Sequence, residues 1–486
     1  MGDALRRTLT SSGPSETGPG ADLAATAGTA GGAAVRDLRG FVEVLRSRGL
    51  LVDVLREVDP EGELGAVLHS CERLGQAAMF HRVRGSELPV VGGVLASWQH
   101  AAAALGCDVP DLFARLRDAP AGPVAPVEVE GPAPCQEVRD EPVDLGRLPV
   151  PVHAPKDAGR FINAALIVAR DPRSGRHNLS FARMQLFGPD RTGFFINHWA
   201  DLDAFLRASE EDGRNLPFCA VVGVDPVLLM AAAFRSPGDE YEIAGALRGE
   251  PVPVVPATTS DIHVPTSAEV VLEGELVAGE RRLEGPMAEF TGHYSGVREF
   301  PVATIHAITH RRDPIFQTIA GASREHQLLG TALTREPALD RLLGAVTPRV
   351  AGVRLPGPGF GAIVALDGPR PGEAVTVGIA ALSIHVNTKC AIVVDADVDI
   401  HDDADVLWAL STRVRWDRDC TVIPGGMGSP IDPSSDPRSV QAKVIVDATL
   451  GPERGHYQKV RYPKVDLARY VGGPADGPAP TDGRTP

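Results

Sequence analysis

Six polar side chains stand out because each sits inside apolar, strand-forming sequence. Asn178 and Arg183 lie in HNLSFARMQ (177–185) and His198 in FFINHWADL (194–202). Glu240 lies in GDEYEIAGALRGEPV (238–252), and Glu284 and Glu289 in RRLEGPMAEFTGHYSG (281–296). Polar and ionisable groups in such surroundings risk burial, and burial requires pairing or a metal. One amide oxygen, one imidazole and one carboxylate make a hard donor set that suits Mn²⁺ or Mg²⁺ better than Zn²⁺. Two carboxylates with an arginine between them suit general acid chemistry. The arginine holds one Glu ionised, and the other stays protonated if it is desolvated. Each residue also has a plainer reading. An Asn in a strand satisfies backbone groups, a His beside Trp199 packs and hydrogen-bonds, and Glu240 sits on a helix surface.

The elements that must position these groups follow from periodicity. Leu38, Phe41, Val42 and Leu45 fall at i, i+3, i+4, i+7, one helical stripe; Gly49 stops it and LLVDVL (50–55) follows as a strand. A small α/β domain is expected over 37–125, ending in the Pro-rich link APAGPVAPVEVEGPAP (119–134). In the middle third, INAALIVARD (162–171), MQLFG (184–188), TGFFINH (192–198), FCAVVGVD (218–225) and AEVVLEGEL (268–276) read as strands. Many strands with few helices between them suggest a barrel or split barrel over 126–315. The last third, 316–471, alternates strand and helix: AIVVDADVDI (391–400) is a strand, and DDADVLWALSTRV (402–414) an Asp-capped helix. The expected class is therefore α/β (α+β). Residues 1–36 and 472–486, rich in Gly, Ala, Ser, Thr and Pro, read as disordered tails.

Composition removes several functions. The 486 residues carry 48 Lys plus Arg against 63 Asp plus Glu, a formal charge of −15. Nucleic acid and anionic membrane surfaces are poor partners for such a chain. The apolar runs, such as AALIVA (164–169), are far too short to span a bilayer. The six cysteines form no CxxC pair, and a cytoplasmic location with reduced thiols is expected. GPGFGA (357–362) imitates a dinucleotide loop, but IVALDG follows it as a strand, so no helix N-terminus meets a phosphate. Asp395, Asp397 and Asp399 imitate a calcium loop, but Ile400 and Val406 stand where Gly and Glu are needed.

Taken together, these stretches resemble the UbiD family of prenylated-flavin-dependent decarboxylases, over about residues 37–470. LPVPVHAPKDAGRFINAALIVARD (148–171), the N-x-x-x-A-R of Asn178 to Arg183, and Glu284-Gly-Pro-Met-Ala-Glu289 followed by TGHY occur in the family's order. The resemblance implies that Asn178, His198 and Glu240 hold Mn²⁺ (or Mg²⁺) bridging to the cofactor phosphate. It implies that Arg183, Glu284 and Glu289 form the catalytic network, with Glu289 the proton donor. Lys389, in NTKCAIVVDAD, would reach the cofactor phosphate, and the backbone of Phe181, Ala182 and Arg183, with Asn197, would line the cofactor. K⁺ near the metal is also implied, although AAAFRSPGDE (231–240) departs from the family's pattern there. The implied reaction is non-oxidative decarboxylation of an α,β-unsaturated acid through a covalent prenylated-FMN adduct. Length and tails resemble the polyketide-tailoring members, and FQTIAGASREHQLLG (316–330), which should help line the pocket, departs from the aromatic-acid members; an aromatic or heteroaromatic acid is the alternative substrate. A non-catalytic flavin-binding carrier and a Mn²⁺-dependent hydrolase without flavin are the competing classes. A separate flavin prenyltransferase as cofactor supplier and at least a homodimer are implied partners.

Overall fold

Leu38, Phe41, Val42 and Leu45 are all buried along one face of the helix Leu38–Ser47. Asp37 caps that helix, its carboxylate accepting from the Gly40 amide at 2.8 Å. The computed structural model describes residues 35–235, 238–451, 456–463 and 465; the expected tails lie outside these apart from Val35 and Arg36. Residues through Thr449 form one unit, and Leu450–Pro486 a second. The following concerns the first. No helix among the described residues is long and apolar enough to cross a membrane.

Near the N-terminus, Leu51–Val54, Ala77–Phe80 and Val90–Gly92 form a sheet with helices over it. Its fourth strand is Phe316–Thr318, parallel to Val90–Gly92. These three residues, expected in the C-terminal part, therefore return the chain to the N-terminal sheet. The Pro-rich link is not free either. Val127–Glu128 pairs with Pro253–Pro256, and the Val124 amide donates to the Glu242 carbonyl at 3.1 Å.

The centre is a curled sheet. Its strands run in the order Phe161–Ile162, Met184–Leu186, Arg191–Phe194, Arg298–His310, Val270–Glu284, Leu216–Val222, Leu166–Arg170, His177–Phe181. His177–Phe181 and Met184–Leu186 stand near opposite ends of that order, yet Ala182 and Arg183 alone join them. Three Cα steps reach at most about 11 Å, so the two ends must curl towards each other. This is the split barrel expected from the strand-rich middle third. Two expected strands change length. Val270–Glu284 runs beyond the expected 268–276, with register shifts between Leu276 and Arg281, and carries Glu284 at its end. TGFFINH is a strand only to Phe194; the Phe195 amide still donates to the Arg183 carbonyl at 3.2 Å, in register with Phe194 opposite Met184, and the chain leaves the ladder after that bond.

The C-terminal sheet runs Val350–Arg354, Gly361–Leu366, Cys390–Asp395, Val440–Ala448, Cys420–Met427. Gly361–Leu366 directly follows the GPGFGA turn, as expected. The buried Arg413 ties down Asp395 at 2.9 Å and Asp397 at 2.6 Å, so these aspartates pair with a cation of the chain. Asp402 caps the helix Asp403–Arg413.

The helix Glu240–Arg248 lies against this centre, anchored by the fully buried Tyr241, whose hydroxyl donates to the His263 carbonyl at 2.9 Å. Tyr241→Phe leaves that carbonyl short of its donor. A loss of about 1–2 kcal/mol is expected, read as a lower urea midpoint at unchanged slope.

Candidate active site

Arg183, in the two-residue connection that curls the sheet, is 7% exposed, and Glu284 is fully buried. Its Nε and Nη2 donate to the two Glu284 oxygens at 2.8 Å each, a bidentate pair. Its Nη1 donates to Glu289. The guanidinium lies 4.4 Å from the Phe195 ring centroid, and Ser295 Oγ accepts from Nη2 at 3.2 Å.

The Glu284–Glu289 turn is shaped to deliver both carboxylates to one cation. Gly285 has φ +88°, and a Cβ there would stand 2.8 Å from the Gly296 carbonyl oxygen. The Gly285 amide donates to Gln185 Oε1 at 3.0 Å, and the Ala288 amide to Asp157 at 2.8 Å. Gly321 passes so close that a Cβ would meet the Ala288 oxygen at 2.3 Å. Burial pushes the Glu289 carboxyl above the ordinary carboxylate range; Arg183 opposes this and Glu284 adds to it. Burial thus favours the acid form of Glu289 relative to a carboxylate in water.

Glu289 and Arg183 face a cavity of about 600 Å³, within the size range of small-molecule and cofactor sites. Phe181, Ala182, Asn178, Asn197 and Glu240 also line it. Glu240 is buried beside Asn178, whose Nδ2 donates to it at 3.2 Å, and the Leu179 amide donates at 2.8 Å. Burial pushes Glu240 up to about 8. A buried carboxylate beside an amide, short of positive charge, fits a hard cation. The structure does not bring His198 to this pair. Its side chain is 90% exposed, with Nδ1 3.8 Å from Asp203, in the turn after Phe194. No group of three or more His, Cys, Asp or Glu able to hold a metal occurs among the described residues. Lys389 likewise stays off the cavity wall. Its Nζ donates to Asp432 at 2.7 Å and to Ser434 Oγ at 2.7 Å.

Sequence reasoning missed several wall residues. His326 Nδ1 and Asn163 Oδ1 are buried without hydrogen-bond partners, and both residues line the cavity. Burial, with Arg183 second, lowers His326 to about 4, so its ring is neutral. Such orphaned atoms in a roomy wall fit a ligand that supplies their partners. The stretch FQTIAGASREHQLLG (316–330), expected to help line the pocket, does so through Ile319, His326, Leu329 and Gly330, but a lone His within it has no spacing partner to single it out.

The curled sheet thus places a buried Glu–Arg–Glu cluster on the wall of a cofactor-sized cavity. Family models for the N-terminal, Rift-related and C-terminal domains of 3-octaprenyl-4-hydroxybenzoate carboxy-lyase match residues 42–119, 127–323 and 328–448. A phenolic acid decarboxylase of Bacillus subtilis is 36% identical over 88% of this chain and 95% of its own. An anhydromevalonate phosphate decarboxylase of Methanothermobacter thermautotrophicus is 32% identical over 85% and 96%. The UbiD-class enzyme HmfF from Pelotomaculum thermopropionicum, solved in complex with FMN, superposes with a TM-score of 0.85 at 35% identity, covering 90% of this chain and all of that one. The chain belongs to the UbiD family of decarboxylases.

Glu284→Gln keeps the shape of the cluster but removes the bidentate counter-charge of a buried arginine. With Glu289 still able to ionise in compensation, a loss of about 3 kcal/mol is expected, measured by urea unfolding at pH 7. A loss below about 1 kcal/mol would place the pair among weakly contributing ion pairs.

Proposed function

We propose that the protein catalyses non-oxidative decarboxylation of an unsaturated or aromatic carboxylic acid with bound prenylated FMN. The observation that carries this is the buried Arg183 bridge between Glu284 and Glu289 on the wall of a cavity large enough for a flavin. When bound, the prenylated flavin supplies the electron sink for loss of CO₂. The remaining work falls to the chain. Arg183 stays cationic through Glu284 and steers the substrate carboxylate. Glu289, desolvated and proton-bearing, delivers that proton to the carbon left by CO₂. Phe195, stacked on Arg183, keeps water from the bridge.

Asn178 and Glu240 would hold Mn²⁺ or Mg²⁺, with K⁺ beside it. His198 would complete the set by a local rearrangement of the 197–200 turn. Lys389 would reach the cofactor phosphate only by leaving Asp432. A separate flavin prenyltransferase would supply the cofactor. At least a dimer, through the C-terminal part of the division at 125/126 and 315/316, is supported by the exposed Trp416, Val422 and Met427 on and before the edge strand Cys420–Met427. A cytoplasmic location accords with the unpaired cysteines. For substrate, a polyketide-derived α,β-unsaturated acid is one reading. The aromatic-acid reading is favoured by Phe195, Phe290 and the neutral His326 around Glu289 and by relatives named as phenolic acid decarboxylases.

Glu289→Gln should retain flavin and metal but lose about 10²–10⁴-fold in turnover; unchanged activity would remove Glu289 from the role. The sign of the pH dependence follows. Because the Glu289 carboxyl is raised, its acid form is full at low pH and drains as pH climbs through the raised value. Turnover should therefore fall on the alkaline side, and no such limb should remain in Glu289→Gln. His198→Ala should leave the unfolding midpoint of the cofactor-free protein within about 0.5 kcal/mol of wild type, as for an exposed residue. Mn²⁺ content by metal analysis should fall in the same variant. Full Mn²⁺ retention would exclude His198 as a ligand.

A further inference from the structure

The cavity has a second charged pole that the decarboxylase chemistry does not use. Arg335, on the helix Leu333–Val346, lines the cavity, and its Nη1 is buried with no hydrogen-bond partner. Arg335 makes no ion pair among the described residues. Arg235 and His385 line the same cavity. Thr334 Oγ1 donates to the Ala233 carbonyl at 3.1 Å, tying the Arg335 helix to the segment that carries Arg235. Burial, and secondarily the neighbouring Arg235, lowers Arg335 to about 10. Burial and the two arginines lower His385 to about 3, so it is neutral. The Asn387 amide donates to His385 Nδ1 at 3.1 Å, which leaves Nε2 as the N–H of the ring. The acids on this wall are engaged elsewhere: Asp201 with Arg176 at 2.8 Å, Glu240 with Asn178 and Leu179.

A buried guanidinium N–H with no acceptor is costly. We propose that Arg335, with Arg235 and His385, forms an oxyanion subsite of the cavity that takes a phosphate or carboxylate of a bound ligand. The planar guanidinium offers paired donors, which match the oxygens of either group. Two sources carry this chemistry: the phosphate of a flavin mononucleotide, and a second anionic group on the acid substrate.

The test uses full-length cofactor-free protein, wild type, Arg335→Gln and Arg335→Lys. Inorganic phosphate is the probe, and the melting temperature is the readout. Wild type should be stabilised by millimolar phosphate through mass action, Arg335→Lys partly, and Arg335→Gln hardly at all. Without phosphate, Arg335→Gln should melt at or above the wild-type temperature, since it removes an uncompensated buried charge. An undiminished phosphate shift in Arg335→Gln overturns the subsite. So does a marked drop in its ligand-free melting temperature, which would make Arg335 a structural residue. FMN and riboflavin binding, followed by flavin fluorescence, then separates the sources. If the cofactor phosphate is the ligand, a preference for FMN of at least tenfold collapses in Arg335→Gln while riboflavin binding holds. If the FMN preference survives, the substrate is the source, and dicarboxylic acids lose affinity in the variant while monocarboxylic acids do not. The phosphate arm needs neither prenylated flavin nor turnover, so its failure is separate from failure of the decarboxylase reading.

Discussion

One buried cation holds the active region together. Arg183 lies in a two-residue connection between strands near opposite ends of the curled sheet, and it faces two carboxylates from a single turn. A guanidinium cannot give up its proton at any ordinary pH, so burying it obliges the protein to bury negative charge beside it. Two carboxylates exceed that need by one. The excess is resolved by geometry: Glu284 receives the bidentate contact, while Glu289 receives one nitrogen and is raised by desolvation. The asymmetry between a bidentate anchor and an acid raised by burial is therefore built into which face of the fork each oxygen meets. Gly285, Asp157, Gln185 and Ser295 serve that asymmetry by fixing the turn that carries both acids.

Much of this frame is legible from pattern alone. Helical spacing at Leu38, Phe41, Val42 and Leu45 exposes a single stripe, and burial follows it. The apolar runs at 164–169 and 218–222 read as strands because they are short, rich in β-branched residues and bounded by Gly, Pro and Asp. The Arg183, Glu284 and Glu289 set is legible because three charges in apolar sequence have few ways to be buried except together. What pattern does not show is where a strand leaves its ladder. TGFFINH alternates acceptably through His198, yet the ladder makes its last bond at Phe195, to the Arg183 carbonyl, and the chain then departs, carrying His198 into solvent. Lys389 has the same difficulty. Its strand is clear, but the acid that claims its ammonium, Asp432, lies 43 residues on.

The wall residues outside the motifs were hidden for a different reason. His326, Asn163 and Arg335 owe their importance to hydrogen-bonding atoms left without partners, a property of three-dimensional surroundings that no spacing encodes. Phe316–Thr318 shows the same limit at the level of topology. Three residues are too few for a period, and only their pairing with Val90–Gly92 returns the chain to the N-terminal sheet. That return matters to the site, because it delivers the following segment, with Gly321 and His326, to the back of the Glu289 turn.

The cavity is consequently a polarised container. Around the Arg183 bridge, two acids share one cation, and a neutral His326 and apolar rings surround them. Elsewhere on the same wall, Arg335 and Arg235 are cations without acids. A ligand carrying negative charge at one place and a conjugated, apolar body at another meets complementary surroundings in one orientation and mismatched ones in the reverse. Reversal would set the apolar body against Arg335 and Arg235, which have no ion-pair partner among the described residues. Orientation thus follows from how charge is distributed along the cavity wall, before any contact is made with the reacting carbon.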